Sequence, residues 1–277
     1  MPEKDYPLIN LKGPNGVSGE TIASVCDHTF LFRPESYLPT AKQDESPVRL
    51  REKAFYNFLS NTIELTSRGM KPYAVCVRPE DCEHAKRLLM TNDLGSKTSD
   101  IKIASVVGFP SGNWYSTDFK LYEAKLAIRH GADEIDMVLD YDKIKVGAIK
   151  EYAAARKDVE DVTKFVHQKK KPIKLIFETS ELCTPELIET ACKIANQCGV
   201  DFVKTSTGFG SKGATPEALA LIKKYARCGI KMSGKVKRDN APELLNALSD
   251  GGYLKFNPMK IRIGESSLLE QIAQNTI

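Results

Sequence analysis

The sequence predicts an α/β fold in which eight parallel strands close into a single (β/α)8 barrel. Short apolar runs alternate with longer amphipathic segments, and eight such strand–helix pairs follow one another. The alternative, an open doubly wound sheet, normally has a GxGxxG motif after its first strand, and none is found there. Because the 277 residues exceed one barrel of about 250, we expect residues 1–277 to form one barrel domain with residues 1–20 as an N-terminal extension.

The predicted strands are short apolar runs bounded by turn residues. In chain order they are residues 22–31, 72–77, 103–110, 133–139, 172–178, 201–206, 229–234 and 262–264. The predicted helices cover about 50–66, a stretch from 79, and then 118–129, 150–169, 185–197, 216–225, 241–249 and 267–274. The polar segments 34–47, 91–100 and 251–260 are predicted surface inserts. Ser267, followed three residues later by Glu270, predicts a capping box for the last helix.

The composition excludes several classes of protein. Apolar residues make up 42% and charged residues 27%, which is typical of a globular chain. The net charge of +4 is too small to indicate a nucleic-acid partner, and no apolar run is long enough to predict a membrane span. Seven cysteines without a CxxC pair, and an N-terminus without a secretory pattern, predict reduced thiols in a cytoplasmic protein.

Charged residues occur inside four of the predicted strands. In DEIDMVL, Asp136 shares a face with Glu134, and the opposite face is apolar. Because the outer face of a barrel strand packs against helices, Asp136 is expected in the lumen. The same alternation places Lys174, Lys204 and Lys231 in the lumen, so three lysines are expected around one aspartate.

A structural salt-bridge network is the simpler explanation for a single strand lysine. Three lysines against one carboxylate do not balance in charge, and burial of unbalanced charge costs several kcal/mol per ion. Burial and neighbouring cations both lower the pKa of an amine. A neutral lysine is a nucleophile, and the cluster therefore favours a Schiff-base enzyme.

Two other chemistries fit the sequence less well. His28, His84, His130 and His167 have no metal-ligand spacing and no HExxH motif occurs, so no metal is expected. Cys76 with His28 as its base would suit thiol catalysis, but a cysteine in an apolar strand is usually a small core residue. His28 is likewise expected to be structural.

Small residues follow the last three predicted strands. These segments are STGFGSKG (206–213), SGK (233–235) and GESS (264–267). Glycine and serine permit close approach of an anion, and the last segment leads into a helix N-terminus, where free N–H groups favour phosphate. The pattern predicts a phosphate site, although ordinary turns and a capped helix are the simpler alternative.

With these motifs in place, residues 26–269 resemble the deoxyribose-phosphate aldolases. The resemblance rests on CDHTFL (26–31), VCVRP (75–79), VVGFPSG (106–112), GADEIDMV (131–138), KLIFET (174–179), DFVKTSTGF (201–209), KMSG (231–234) and RIGESSLL (262–269). It implies a (β/α)8 class I lyase that cleaves 2-deoxy-D-ribose 5-phosphate to D-glyceraldehyde 3-phosphate and acetaldehyde in deoxyribonucleotide catabolism. It also implies a homo-dimer or homo-tetramer that needs no metal or organic cofactor.

The resemblance also implies roles for individual residues. Lys204 corresponds to the Schiff-base lysine, Asp136 acts in proton relay, and Lys231 lowers the pKa of the amine and joins the relay. The residues that match the substrate pocket are Cys76, Lys174 and Thr207. The residues that match the phosphate contacts are Gly208, Gly234, Gly264, Ser266 and Ser267.

Three departures from the family pattern lie near the phosphate end or the tail. Lys235 occupies a position that is usually a second glycine, where it would add a cation or crowd the phosphate. Glu265 occupies a position that is usually small, where its charge suits the dipole of a helix start but is expected to repel a nearby phosphate. No tyrosine follows Tyr253 in the tail. Two alternatives therefore stay open: a catalytically impaired aldolase-like protein that acts as a binding or scaffold protein, and an aldolase with a different sugar-phosphate preference.

Overall fold

The computed structural model describes residues 5–13, 16–42 and 45–274. Parts of the predicted N-terminal extension, of the insert at 34–47 and of the tail lie outside these residues. The strands are β1 (Leu8–Asn10), β2 (Cys26–Thr29), β3 (Ala74–Val77), β4 (Lys102–Val107), β5 (Glu134–Val138), β6 (Ile173–Ile176), β7 (Phe202–Lys204), β8 (Gly229–Ser233), β9 (Tyr253–Lys255) and β10 (Ile261–Glu265). The helices are α1 (Gly19–Ala23), α2 (Pro47–Ser67), α3 (Cys82–Thr91), α4 (Ser96–Ser99), α5 (Thr117–Arg129), α6 (Tyr141–Val146), α7 (Ile149–Gln168), α8 (Pro185–Cys198), α9 (Pro216–Tyr225), α10 (Ala241–Leu248) and α11 (Leu268–Ala273).

Eight of the strands form a closed parallel barrel. Their order around the ring is β10-β2-β3-β4-β5-β6-β7-β8, so β10 closes the sheet between β8 and β2. This confirms the predicted (β/α)8 barrel and excludes the open sheet. Each predicted strand corresponds to one barrel strand, and the predicted bounds of α9 match the structure. Within the described residues, no helix is both long and apolar enough to cross a membrane.

Two elements near the chain ends differ from the prediction. The first predicted strand starts too early, because residues 22 and 23 belong to α1, whose N-terminus is capped by the Ser18 side chain. The segment 251–260 is more than a surface insert, since β9 pairs with β1 of the N-terminal extension in an antiparallel ribbon. These short elements depend on partners distant in the chain, and local patterns do not reveal such partners.

The covering helices begin where side chains satisfy their first N–H groups. The hydroxyls of Ser116, Thr184 and Thr215 accept hydrogen bonds from the backbone at the starts of α5, α8 and α9. Proline occupies the first turn of α8 and α9, where its missing N–H costs nothing. Gly199 ends α8 in the left-handed conformation that a glycine tolerates best.

Strand β5 shows how the barrel separates an apolar shell from a charged lumen. Ile135 and Met137 belong to the large core between strands and helices, together with Val162 of α7. Val138 belongs to a separate apolar cluster, in which Ile176 of β6 also lies. All five residues of β5 are buried, so Asp136 is enclosed by the barrel itself.

Candidate active site

The structure brings together the four lumen residues that strand alternation predicted. Register places Asp136 opposite Lys174 and Lys204 opposite Lys231. The Asp136 carboxylate accepts hydrogen bonds from Lys174 Nζ at 2.7 Å, Lys231 Nζ at 2.9 Å and Lys204 Nζ at 3.0 Å. One carboxylate therefore contacts three ammonium groups, and none of the four side chains is more than 3% exposed.

Three further charged residues complete this cluster. Arg262 lies 2.5 Å from Asp27 and 2.7 Å from Glu134. Lys231 contacts Asp27 at 2.5 Å, and Lys174 contacts Glu134 at 2.6 Å. The expected ratio of three lysines to one carboxylate is therefore wrong, because the lumen holds four cations and three carboxylates. The same alternation rule, applied to β2 and β10, would have placed Asp27 and Arg262 inside.

The pKa of Lys204 differs in direction from those of the other two lysines. Burial lowers the pKa of Lys204, and the Lys231 ammonium lowers it further, against the opposing effect of Asp136. Burial acts in the same direction on Lys231, but Asp136 and Asp27 raise its pKa more. The pKa of Lys174 is also raised, because Asp136 and Glu134 outweigh burial. Lys204 is thus the lysine in this cluster that most readily becomes a neutral amine.

A cavity of about 320 Å³ opens above the cluster, at the carboxyl ends of the last strands. Lys204 lies in its wall, whereas Lys174 and Lys231 are completely buried. Asp136 and Cys76 are also completely buried. The other residues in the wall that had been predicted to bind substrate are Thr207, Gly208, Gly234, Gly264, Ser266 and Ser267.

Glycine is required where the loops around this cavity approach one another. A Cβ on Gly213 would lie 1.9 Å from the carbonyl oxygen of Gly234, so these two loops pack backbone against backbone. A Cβ on Gly264 would lie 2.8 Å from Cε of Lys231. The small residues therefore allow the segments after the last three strands to meet around one space, whose wall also includes Phe32 and Phe209.

Glu265 borders the cavity, but its carboxylate is buried and paired within the barrel wall. Its side chain is completely buried, and its carboxylate accepts hydrogen bonds from His28 Nδ1 and from the backbone N–H of Leu268, both at 2.7 Å. The predicted capping box is also wrong, because the Ser267 side chain makes no cap hydrogen bond. Its hydroxyl accepts instead from Gln271 Nε2 at 3.0 Å. Glu265 provides the acceptor that Ser267 was predicted to provide.

Lys235 also has an unexpected conformation. Its φ of 56° lies in the left-handed region that disfavours residues with a Cβ. The side chain is exposed at the cavity wall, and its ammonium donates to the carbonyl oxygen of Ser211 at 2.6 Å. Lys235 therefore links the loop after β8 to the loop after β7.

The thiol and metal alternatives gain no support from the described residues. Cys76 is fully buried, and burial raises the pKa of its thiol, which opposes a nucleophilic thiolate. Its sulfur lies 4.0 Å from Asp136 Oδ2. All seven cysteines are free, and nowhere in the described ranges do three or more His, Cys, Asp or Glu side chains form a group that could hold a metal ion.

Comparison with known proteins agrees with this geometry. A model of the DeoC/LacD family of aldolases matches residues 42–251. The chain belongs to this family. Among relatives of this aldolase, a deoxyribose-phosphate aldolase of Clostridium perfringens is 35% identical over 220 residues, which cover 79% of this chain and 84% of the relative.

Other relatives give the same result. A deoxyribose-phosphate aldolase of Thermococcus gammatolerans is 42% identical over 167 residues, covering 60% of this chain and 70% of that protein. A crystal structure from Coccidioides immitis, provisionally assigned as a deoxyribose-phosphate aldolase, superposes with a TM-score of 0.72 at 26% identity. It covers 99% of this chain and 92% of that one. No observation on the described residues favours the alternative of a non-catalytic scaffold.

Proposed function

We propose that this aldolase cleaves 2-deoxy-D-ribose 5-phosphate through a Schiff base on Lys204. The observation that carries the proposal is that Lys204, of the three lumen lysines, both lies in the cavity wall and has a lowered pKa. The names of the relatives from Thermococcus and Clostridium support this substrate. The cavity supports it too, because an amine at its base faces loops suited to a phosphate.

The covalent steps balance without any cofactor. The neutral Lys204 amine attacks the C1 aldehyde carbon, and loss of water from the carbinolamine leaves a protonated imine. Removal of the C3 hydroxyl proton lets the C3 carbonyl form as the C2–C3 bond breaks. The electron pair of that bond becomes the C1=C2 bond of an enamine, and the C=N pair moves to the nitrogen. Glyceraldehyde 3-phosphate leaves, and the remaining enamine takes a proton at C2. Addition of water then releases acetaldehyde and restores the lysine.

Asp136 and Lys231 are the proposed proton carriers. Asp136 Oδ2 accepts hydrogen bonds from Lys204 Nζ at 3.0 Å and from Lys231 Nζ at 2.9 Å, so one oxygen connects the two amines. Burial alone would raise the pKa of Asp136, but Lys174 and Lys231 hold it well below its usual range. Asp136 is therefore a carboxylate at neutral pH, and a bound water would complete the relay to the substrate.

The remaining predicted site residues divide between positioning and phosphate binding. Lys174 is proposed to orient Asp136, since it is completely buried against that carboxylate. Thr207 is oriented by Glu178, which accepts from its backbone N–H at 3.0 Å and also from its hydroxyl. Cys76 is proposed to fill the space beside Asp136. The residues proposed to contact phosphate are Gly208, Gly234, Gly264, Ser266 and Ser267.

The cellular setting and assembly are part of the same proposal. We infer a cytoplasmic enzyme of deoxyribose catabolism, a chain that forms one barrel domain, and a homo-dimer or homo-tetramer. Light scattering coupled to size-exclusion chromatography measures the assembly directly. A monomer at assay concentration would contradict that part of the proposal.

The deciding experiment joins an activity assay to chemical trapping. Purified protein should release glyceraldehyde 3-phosphate from 2-deoxyribose 5-phosphate in a coupled assay. Borohydride with acetaldehyde should reduce the imine and add two carbons to Lys204, as mass spectrometry would locate. Lys204→Ala should abolish both signals, whereas Lys212→Ala, on the same loop region but outside the cavity wall, should retain them. Wild-type turnover by folded Lys204→Ala would refute the proposal, and turnover of another sugar phosphate alone would correct its substrate.

A further inference from the structure

A buried histidine–glutamate pair joins the barrel wall to the loop that precedes α11. His28 in β2 and Glu265 in β10 are paired in register on adjacent strands. Both side chains are completely buried, and His28 Nδ1 lies 2.7 Å from Glu265 Oε1. The ring of His28 stacks on Phe58 of α2, with ring centroids 4.7 Å apart. The pair is therefore held rigidly on three sides by strands and a helix.

The second carboxylate oxygen of Glu265 holds the backbone next to the cavity wall in place. Oε2 accepts the backbone N–H of Leu268, the first residue of α11, at 2.7 Å. The two residues between Glu265 and Leu268 are Ser266 and Ser267, and both lie in the cavity wall. One carboxylate thus fixes both ends of the segment that presents these serines to an anion.

The contacts of His28 are those of an imidazolium. Since a carboxylate only accepts, Nδ1 carries a proton toward Glu265. Nε2 is buried without a hydrogen-bond partner and lies 3.9 Å from Glu270 Oε1, where a bare lone pair would be repelled and an N–H is attracted. The charged groups that face the ring are Glu265 from β10 and Glu270 from α11. Helix α2 adds the uncharged Phe58, together with Asn61, whose amide lies 3.5 Å from Glu270.

We propose that Glu265, neutralised by protonated His28, is a positioning residue for the anion-binding end of the cavity. The inference rests on the proposed function only for the identity of the phosphorylated substrate. While His28 is charged, the pair is neutral and holds Ser266 and Ser267 in place. When His28 loses its proton, a buried and uncompensated carboxylate remains beside the anion site. That charge repels the anion and weakens the fixed geometry, so both effects reduce affinity.

The electrostatics of the pair give the direction of the pH effect. Burial lowers the pKa of His28, but the charge and hydrogen bond of Glu265 raise it more, and Glu270 adds to the rise. When the pKa of a histidine is higher in the folded state, protonation of that histidine stabilises the fold. This contribution is complete at pH values below the ordinary histidine pKa of about 6.5. That stabilisation is lost as the pH rises through the raised value. Anion affinity should fall over the same interval.

Sulfate is the appropriate probe, because its charge is constant over this range and its binding does not require turnover. Calorimetry on wild-type protein should show affinity about tenfold weaker at about pH 9 than at about pH 6.5. His28→Gln retains an N–H toward Glu265 without a titrating charge, and should bind weakly at both values. Any pH dependence that remains in this variant belongs to other groups such as Lys204. Glu270→Gln should keep the affinity at low pH and move the loss to lower pH.

Turnover separates positioning from simple structural support. Glu265→Ala should raise KM for the sugar phosphate about tenfold, with kcat and the KM for unphosphorylated 2-deoxyribose unchanged. Equal losses on both substrates, or wild-type sulfate binding by both His28→Gln and Glu265→Ala, would overturn the inference. If these variants do not fold, an unshifted pH midpoint in Glu270→Gln would overturn it instead. A wild-type protein that shows the sulfate behaviour but no aldol cleavage would refute the proposed function alone.

Discussion

The charged lumen and the loop rim of the cavity are built on different principles. In the lumen, strands hold every charged group, and each cation contacts a carboxylate within 3.0 Å. At the rim, glycines and serines lie on the segments after the last three strands, and the Lys235 ammonium contacts a carbonyl rather than a carboxylate. Both departures from the family pattern that the structure describes, Lys235 and Glu265, belong to the rim.

This difference indicates which region tolerates change. A substitution in the lumen would leave a buried charge without a partner, which costs several kcal/mol. At the rim, two residues that are unusual for the family are each stabilised by one contact. Glu265 is paired with His28, and Lys235 donates a hydrogen bond to the carbonyl oxygen of Ser211. The proposed chemistry therefore depends on a network fixed by strand register, whereas the proposed phosphate recognition depends on loops that can vary separately.

The largest effect is expected from Asp136→Asn, which removes the central carboxylate of the ion-pair network in the lumen. The change leaves three ammonium groups without their shared carboxylate and removes the proposed proton carrier. We expect kcat to fall by about 10²–10⁴ and the free energy of unfolding to fall by about 3–5 kcal/mol. Steady-state kinetics and chemical denaturation measure the two effects.

Asp158→Asn is the matched control, since Asp158 pairs with the buried Lys120 at 2.6 Å outside the lumen cluster. That variant should lose stability while the folded fraction keeps its activity. If Asp136→Asn loses stability alone, with wild-type kcat in the folded fraction, the lumen is a structural network and its proposed role in proton transfer is wrong.

A smaller effect within the lumen should appear in the pH dependence. Because the Lys204 pKa is lowered, kcat/KM should rise with pH through a pKa below the usual lysine value. Lys231→Met removes the neighbouring cation, so the rising limb should move to higher pH. Lys174→Met should move it less, because Lys174 acts chiefly on Asp136. Equal shifts in the two variants would show that Lys231 has no special effect on the amine.

Strand alternation was sufficient to predict the lumen, because a closed barrel leaves each strand residue only two directions. The expected charge imbalance is too large because it omits Glu134, which shares the lumen face with Asp136, whereas Asp27 and Arg262 cancel each other in charge. The rim could be predicted only in outline. His28 and Glu265 are 237 residues apart, and nothing in a local pattern shows that they pair. The contact appears only when β10 closes the barrel against β2.

The smallest effect is expected at the rim, from Lys235→Gly. Glycine removes the cost of the left-handed backbone, about 1 kcal/mol, but loses a similar amount through greater freedom in the unfolded chain. The free energy of unfolding should therefore change by less than about 0.5 kcal/mol. Loss of an exposed cation at the cavity wall should raise KM for the sugar phosphate about threefold and leave KM for 2-deoxyribose unchanged.

Kinetics with both sugars, beside thermal unfolding, measure these outcomes. Lys235→Met keeps the side-chain length and the strained backbone without the charge, so it isolates the electrostatic part. If Lys235→Met and Lys235→Gly raise KM equally, the ammonium is responsible, and an unchanged KM for 2-deoxyribose shows that it acts on the phosphate rather than through its hydrogen bond to Ser211. If only Lys235→Gly raises KM, the apolar stem of the side chain acts by packing at the cavity wall. In that case packing holds the rim, whereas ion pairs hold the lumen, and the two regions differ in the interactions that stabilise them.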